Sequence, residues 1–291
     1  MSANRREFLL GAATLATSTS LPSLASAMSQ LAPRTSTTTD GASPFLLEFD
    51  GPALTSLKFA GDELPTNYVA TGQKLGHVEI TWRRNNDPWH SFHSADAAPQ
   101  TPGTYHAMDE TGEALAVTVR LEPQNGVLRW ATTLRNLSSD AIEIGDLALP
   151  LPMHSIAGSR EPGAISVLKH HFISGHGSFL FWMRSNSLGP YLVMTPERDA
   201  HLEFWDHQPM RPRPSQALIP GQTTAPAPNT VAGTGGQRPA FRAYVHSVAV
   251  SEAVQAAGGR WRQPRTSITL TPAGKSGAER EYAFQLAWAK D

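Results

Sequence analysis

The sequence predicts an all-β fold, a large two-sheet antiparallel β-sandwich with little helix. Three observations carry this. From Pro44 onward, apolar and polar residues alternate with a period of two over many short runs. The 23 glycines and 23 prolines punctuate those runs at intervals suited to a sandwich or barrel. Asn125-Gly126 stands between two such runs, with Val117, Val119 and Leu121 before it and Leu128, Trp130, Thr132 and Leu134 after it, the sign of a tight hairpin.

The first segment is an address. Arg5 and Arg6 precede Glu7, Phe8 and Leu9, a mildly apolar Ala/Leu/Thr stretch follows, and Ala25-Ser26-Ala27 closes the segment. That order is the one found in a cleaved export signal. The arginine pair points to the twin-arginine route, which carries folded proteins across the bacterial inner membrane. Cleavage is expected before Met28, with Arg5, Arg6, Ala25 and Ala27 as the residues read by the export machinery. An ordinary secretory signal or an uncleaved amphipathic N-terminus is the competing reading. Residues 28–43 are rich in Ser, Thr and Ala without periodicity and read as a flexible tether. The expected organisation is therefore an export signal (1–27), a tether (28–43) and a β domain (44–291), in a periplasmic or secreted protein.

Within the β domain, further strands are expected at Ile142 with Ile144, Phe179 to Met183, Tyr191 to Met194, Ile268 with Leu270, and Tyr282 to Trp288. A short helix is expected over Ser251 to Ala257, with Ser251 as its cap and Gly258-Gly259 as its stop. Residues 208–239 carry prolines and glycines that break every regular element, and read as a mobile surface loop.

Composition narrows the function. Twenty-four basic side chains against 25 acidic ones leave a formal charge of −1, so nucleic acid is not an expected partner. With no cysteine, disulfides, thiolate metal sites and a cysteine nucleophile are excluded together. Past the signal, no apolar stretch approaches the roughly 20 residues that cross a bilayer, so no membrane association is expected after cleavage.

Two clusters carry the candidate chemistry. In "LKHHFISGHGSFLFW" (168–182), three histidines fall within seven positions. Neighbouring residues of a strand face opposite ways, so His170 and His171 cannot both reach one ion without a bulge, and the helical zinc-protease spacing is absent. No metal and no cofactor is therefore expected. His176 lies between two glycines, Trp182 and Arg184 follow on one strand face, and Glu203 is nearby in sequence. Aromatic rings meet sugar CH groups and planar polar side chains meet hydroxyls, so His170, His176, Trp182, Arg184 and Glu203 are the candidate sugar contacts. The competing reading is a half-buried aromatic strand with a glycine turn.

The second cluster, "EITWRRNNDPWHSFH" (79–93), interleaves Trp82, Arg83, Arg84, Asp87, Trp89, His90 and His93. It reads as a sugar-facing rim or partner surface, or as a strand leaving the sheet with solvated arginines. Glu197, Asp199, Glu203 and Asp206 also cluster but fit no hydrolytic motif. There is no nucleophile elbow, phosphate loop or dinucleotide fingerprint. No catalytic residue is assigned.

Five stretches together resemble the N-terminal domain of an uncharacterised group of secreted bacterial six-hairpin glycosidase-like proteins. They are "LTSLKFAGDELPTNYV" (54–69), "LRNLSSDAIEIGDLALPLPM" (134–153), "HHFISGHGSFLFWMRSNSLGPYLVMTP" (170–196), "AYVHS" (243–247) and "WRQPRTSITLTPAG" (261–274). The resemblance implies a galactose-mutarotase-like supersandwich, which such enzymes place before a helical (α/α)6 barrel bearing the catalytic carboxylates. No barrel is present in these 291 residues, so a natural short form or a truncated reading frame is expected.

The expected function is accordingly an exported, carbohydrate-associated sandwich, non-catalytic by itself, whose partner is a glycan or a helical-barrel catalytic domain. Two alternatives stand beside it. One is an autonomous mutarotase-like epimerase using His170 or His176 with Glu203 as acid and base. The other is a structural interaction protein of the envelope.

Overall fold

The structure, a computed structural model, describes residues 43–64, 66–153, 167–169, 178–184, 186–198, 200–207 and 241–289. The expected signal and tether, His170, His171 and His176, and the 208–239 segment lie outside the described residues.

Two large antiparallel sheets face each other. The seven-stranded sheet runs β5 (Thr104–Asp109), β6 (Gly112–Gln124), β7 (Val127–Asn136), β15 (Glu279–Ala289), β11 (Tyr191–Pro196), β10 (Leu180–Arg184) and β9 (Val167–Lys169). The six-stranded sheet runs β12 (Phe204–His207), β13 (Phe241–Ser247), β8 (Ile142–Pro150), β3 (Glu79–Arg84) and β4 (His90–His93), with β14 (Ile268–Leu270) also paired to β8. A hairpin of β1 (Phe45–Asp50) and β2 (Ala53–Phe59) forms a separate two-stranded sheet and adds Phe45, Leu54 and Leu57 to the core of the sandwich. Helix α1 (Val248–Ala256) is the one helix among the described residues. The expected all-β sandwich with little helix is the observed fold.

The alternation read in the sequence fills the core. Val117, Val119 and Leu121 pair across the β6–β7 hairpin with Leu134, Thr132 and Trp130, and all six are buried. Gln124 pairs with Val127, so the turn is the two residues Asn125 and Gly126 at φ 50° and 80°. Positive φ at both positions matches the right-handed twist of the strands. From the other sheet Ile80, Trp82, Ile142, Ile144, Leu147 and Leu149 enter the same core. Trp82 and Trp130 are both 0% exposed, each worth roughly 3 kcal/mol of burial. Arg84 crosses the sandwich rather than meeting solvent, with Nη2 2.9 Å from Asp109 Oδ2.

Helix α1 departs from expectation at its start. It begins at Val248, and the residue before it, Ser247, makes no side-chain cap. Asp146 of β8 supplies the cap instead, both carboxylate oxygens lying 3.1 Å from the Val250 N–H. With the free N–H groups met by a carboxylate from a neighbouring strand, no local serine cap is required. Ser251, expected as that cap, instead donates to Val248 O at 2.8 Å within the first turn. The helix ends as expected, at Gly258 with φ 78°, where Gly258 N–H meets Gln255 O and Gly259 N–H meets Val254 O.

Candidate functional site

Among the described residues, the face of the six-stranded sheet turned away from the core carries two groups of paired charges. Strand parity creates it. On β3, Ile80 and Trp82 enter the core while Glu79, Thr81 and Arg83 take the other face. Pairing sets His93 of β4 beside Glu79 and Ser91 beside Thr81. On the other side of β3, β8 sets Ala148, Asp146 and Glu143 beside Glu79, Thr81 and Arg83. Tyr244, Ser247 and Arg242 of β13 continue the rows past β8 at Ala148, Asp146 and Pro150.

Two ion-paired groups occupy this face. In the first, Arg242 is 2% exposed with Nε 2.9 Å from Glu79 Oε2, and His93 Nδ1 lies 3.5 Å from the other Glu79 oxygen. In the second, Arg83 donates from Nε to Glu143 Oε2 at 2.8 Å, with Nη1 3.6 Å from Glu252 of α1. Its guanidinium stacks 3.9 Å from the Trp89 ring centroid, and the Trp89 indole N–H donates to Glu252 at 2.8 Å. Ser267 Oγ donates to the remaining Glu143 oxygen at 2.8 Å.

Gly145 makes the second group fit. It is the extra residue of the β8 bulge opposite Thr81 and Trp82, and a Cβ there would fall 2.5 Å from the Trp89 ring and 3.0 Å from Ala249 Cβ. The ring and α1 can therefore lie on the sheet only over a glycine.

The corner where β13 meets α1 holds three titratable groups with shifted tendencies, His246 and Tyr282 between the sheets and Asp146 on the outer face. His246 Nε2 lies 2.7 Å from the Tyr282 hydroxyl of β15 and Nδ1 2.8 Å from Thr266 Oγ1. Burial, aided by the Arg280 charge, pushes the imidazole down to about 4, and burial raises the Tyr282 phenol. Burial raises Asp146 to about 6, against hydrogen bonds from the Val250 N–H, Thr81 and the Ala249 N–H that favour its charged form.

The sequence-derived candidates divide. Trp182 and Arg184 do share one face of β10, and that face points inward, each being 2% exposed. Arg184 is ion-paired to Asp62, donates from Nε to Thr66 Oγ1 at 2.8 Å and from Nη1 to Leu188 O at 2.9 Å. Glu203 adjoins the other sheet, 5% exposed, where its Oε2 accepts from Ser247 Oγ and the Thr266 N–H, both at 2.9 Å. The described contacts do not join it to Trp182 or Arg184. Among the described residues no group of three His, Asp or Glu is placed to hold an ion, and no helix is long and apolar enough to cross a membrane.

The 79–93 cluster proves to be the β3–β4 hairpin, and of it Arg83, Trp89 and His93 belong to the charged face. Glu79, Glu143, Asp146, Arg242 and Glu252 were not singled out from the sequence. The usable signal was single charges interleaved with buried apolar residues, as in "EITWR" and "FRAYV".

No curated protein matches the chain. Among solved structures it is similar to a polysaccharide lyase, with a TM-score of 0.57 and 11% identity over 85% of this chain and 32% of the lyase. The chain thus spans about a third of the lyase's length, and at that identity the likeness is one of fold. The model of a family of unknown function, DUF5695, matches residues 46–291. The chain belongs to that family.

Proposed function

We propose that this chain is an exported, carbohydrate-associated β-sandwich that binds glycan and performs no catalysis by itself. The observation that carries the reading is the charged face of the six-stranded sheet, where Trp89, Arg83, Glu143 and Glu252 combine in one half-buried surface. Carboxylates accept from sugar hydroxyls, guanidinium groups donate to them, and an indole ring packs on sugar CH groups. The fold shared with a polysaccharide lyase supports a carbohydrate setting.

The same observation argues for binding over turnover. The Glu79 and Glu143 carboxylates are held by arginines and Glu203 by two hydrogen bonds, so each is fixed in place by partners within the chain. His170 and His176 remain proposed sugar contacts, while Trp182 and Arg184, each 2% exposed, serve the core.

A helical-barrel domain is the other partner that the family resemblance implies. The exposed large apolar side chains among the described residues are Leu46, Phe49, Met108, Leu188 and Trp205, and they lie on β1, β5 and β12 and in the turn between β10 and β11. That distribution favours the glycan-binding form over docking through one apolar patch.

Export by the twin-arginine route, with residues 1–27 removed and 28–43 as tether, completes the proposal. Replacing Arg5 and Arg6 with lysine is expected to keep the chain in the cytoplasm at its unprocessed length. The binding reading is tested by passing the purified chain over a panel of immobilised glycans while following anomer interconversion of simple aldoses. Retention of at least one glycan without interconversion is expected. Retention of none refutes the binding reading, and interconversion makes the chain an epimerase.

A further inference from the structure

Resting on the glycan-binding reading above, we propose that the 260–265 segment between α1 and β14 reads anionic groups, so that the glycan bound here carries uronate carboxylates or sulfate esters. The charge pattern changes abruptly after α1. No Asp or Glu stands between Glu252 and Glu279, while Arg260, Arg262 and Arg265 fall within six positions around Trp261. All three arginines are exposed, and Trp261 is half-buried. Among the described residues no carboxylate lies within ion-pair distance of any of the three. Arg265 Nη1 donates to Ser251 Oγ at 2.9 Å, which leaves the rest of its planar fork of donors for a ligand.

The sandwich holds this segment without neutralising it. The Thr266 N–H donates to Glu203 at 2.9 Å, Thr266 Oγ1 meets His246 Nδ1 at 2.8 Å, and Ser267 Oγ donates to Glu143 at 2.8 Å. The carboxylates around it are already engaged. Glu203 takes Ser247 and Thr266, Glu143 takes Arg83 and Ser267, and Glu252 takes Arg83 and the Trp89 indole. The same contacts join the segment to the Trp89 group. Ser267 shares Glu143 with Arg83, over which Trp89 stacks, and Arg265 bonds to the helix residue next to Glu252. Fully extended, residues 260–265 span at most about 17 Å, so one polymer can meet more than one arginine. A guanidinium takes a carboxylate or sulfate through two parallel N–H···O bonds, each stronger than a bond to a neutral hydroxyl. An exposed pair of this kind strengthens binding about two- to fivefold at low salt.

The test is affinity electrophoresis of the whole chain in gels containing a polyuronate (polygalacturonate or alginate), a sulfated polymer (carrageenan) or a neutral one (galactomannan), each at low and high salt. Retardation by the polyuronate, the sulfated polymer or both is expected, falling with salt and exceeding that by the neutral polymer; the gel that responds identifies the anion. Arg260→Gln with Arg262→Gln, positions with no described bond to lose, should weaken that retardation about four- to twentyfold. Arg120→Gln with Arg135→Gln removes the same charge from exposed positions on the seven-stranded sheet and should leave it unchanged. Equal weakening by the two pairs would overturn the proposal, since the attraction would then belong to any exposed cation. Neutral-polymer retardation equal to or above that by both anionic polymers would also overturn it, while leaving glycan binding in place. Retardation by no polymer would remove the binding reading and this proposal together.

Discussion

Replacing Asp146 with asparagine exposes an electrostatic balance at the β8–β13–α1 corner. His246 is pushed from its ordinary 6.5 to about 4 in the folded chain. It therefore contributes stability that is present above pH 6.5 and lost as pH falls through 4. At about 1.4 kcal/mol per pH unit, the loss amounts to roughly 3 kcal/mol. Asp146 moves the other way, from 3.8 to about 6. Its contribution is present below pH 3.8 and lost as pH rises through 6, again by roughly 3 kcal/mol. Over the window from 4 to 6 the two nearly cancel in the native chain. In Asp146→Asn only the histidine contribution remains, so its stability relative to the native chain should fall by about 3 kcal/mol between pH 7 and pH 4. His246→Gln should shift the opposite way. Urea unfolding followed by tryptophan fluorescence, at half-unit steps of pH, measures both differences, and the carboxylates common to all three proteins drop out of the comparison. Parallel stability profiles for the native chain and Asp146→Asn would refute the reasoning.

The remaining predictions concern packing. Arg184→Ala leaves Asp62, whose side chain is 6% exposed, without its partner, and should cost about 3 to 5 kcal/mol in urea unfolding. The double variant Arg184→Met with Asp62→Asn should recover most of that. Gly145→Ala drives a methyl into the Trp89 ring and should cost about 1 to 3 kcal/mol. Pairing it with Trp89→Leu should cost less than Gly145→Ala imposes on the native chain, a coupling read from a double-mutant cycle.

Much of the fold was legible because local rules agreed with tertiary ones. Asn125-Gly126 dictated the β6–β7 turn, and the alternation from Tyr282 to Trp288 survives as β15. The site was less legible. The alternation of Glu79, Thr81 and Arg83 with Ile80 and Trp82 is visible in the sequence, but their partners are not. Glu143 lies 60 residues from Arg83, and Glu252 lies 163 from Trp89. Those pairings depend on strand order, which periodicity does not encode. The helix start was misplaced for the same reason: Ser251 looks like a cap, and the group that caps is on β8.

That remote cap has a kinetic consequence. Asp146 and the Val250 N–H that it receives are 104 residues apart, so the nine-residue α1, too short to persist alone in water, cannot nucleate until β8 and β13 have met. The segment lacks a charged first turn of its own. During synthesis or refolding it should stay open while the hairpins close, and complete its turns only after that long loop has been brought together.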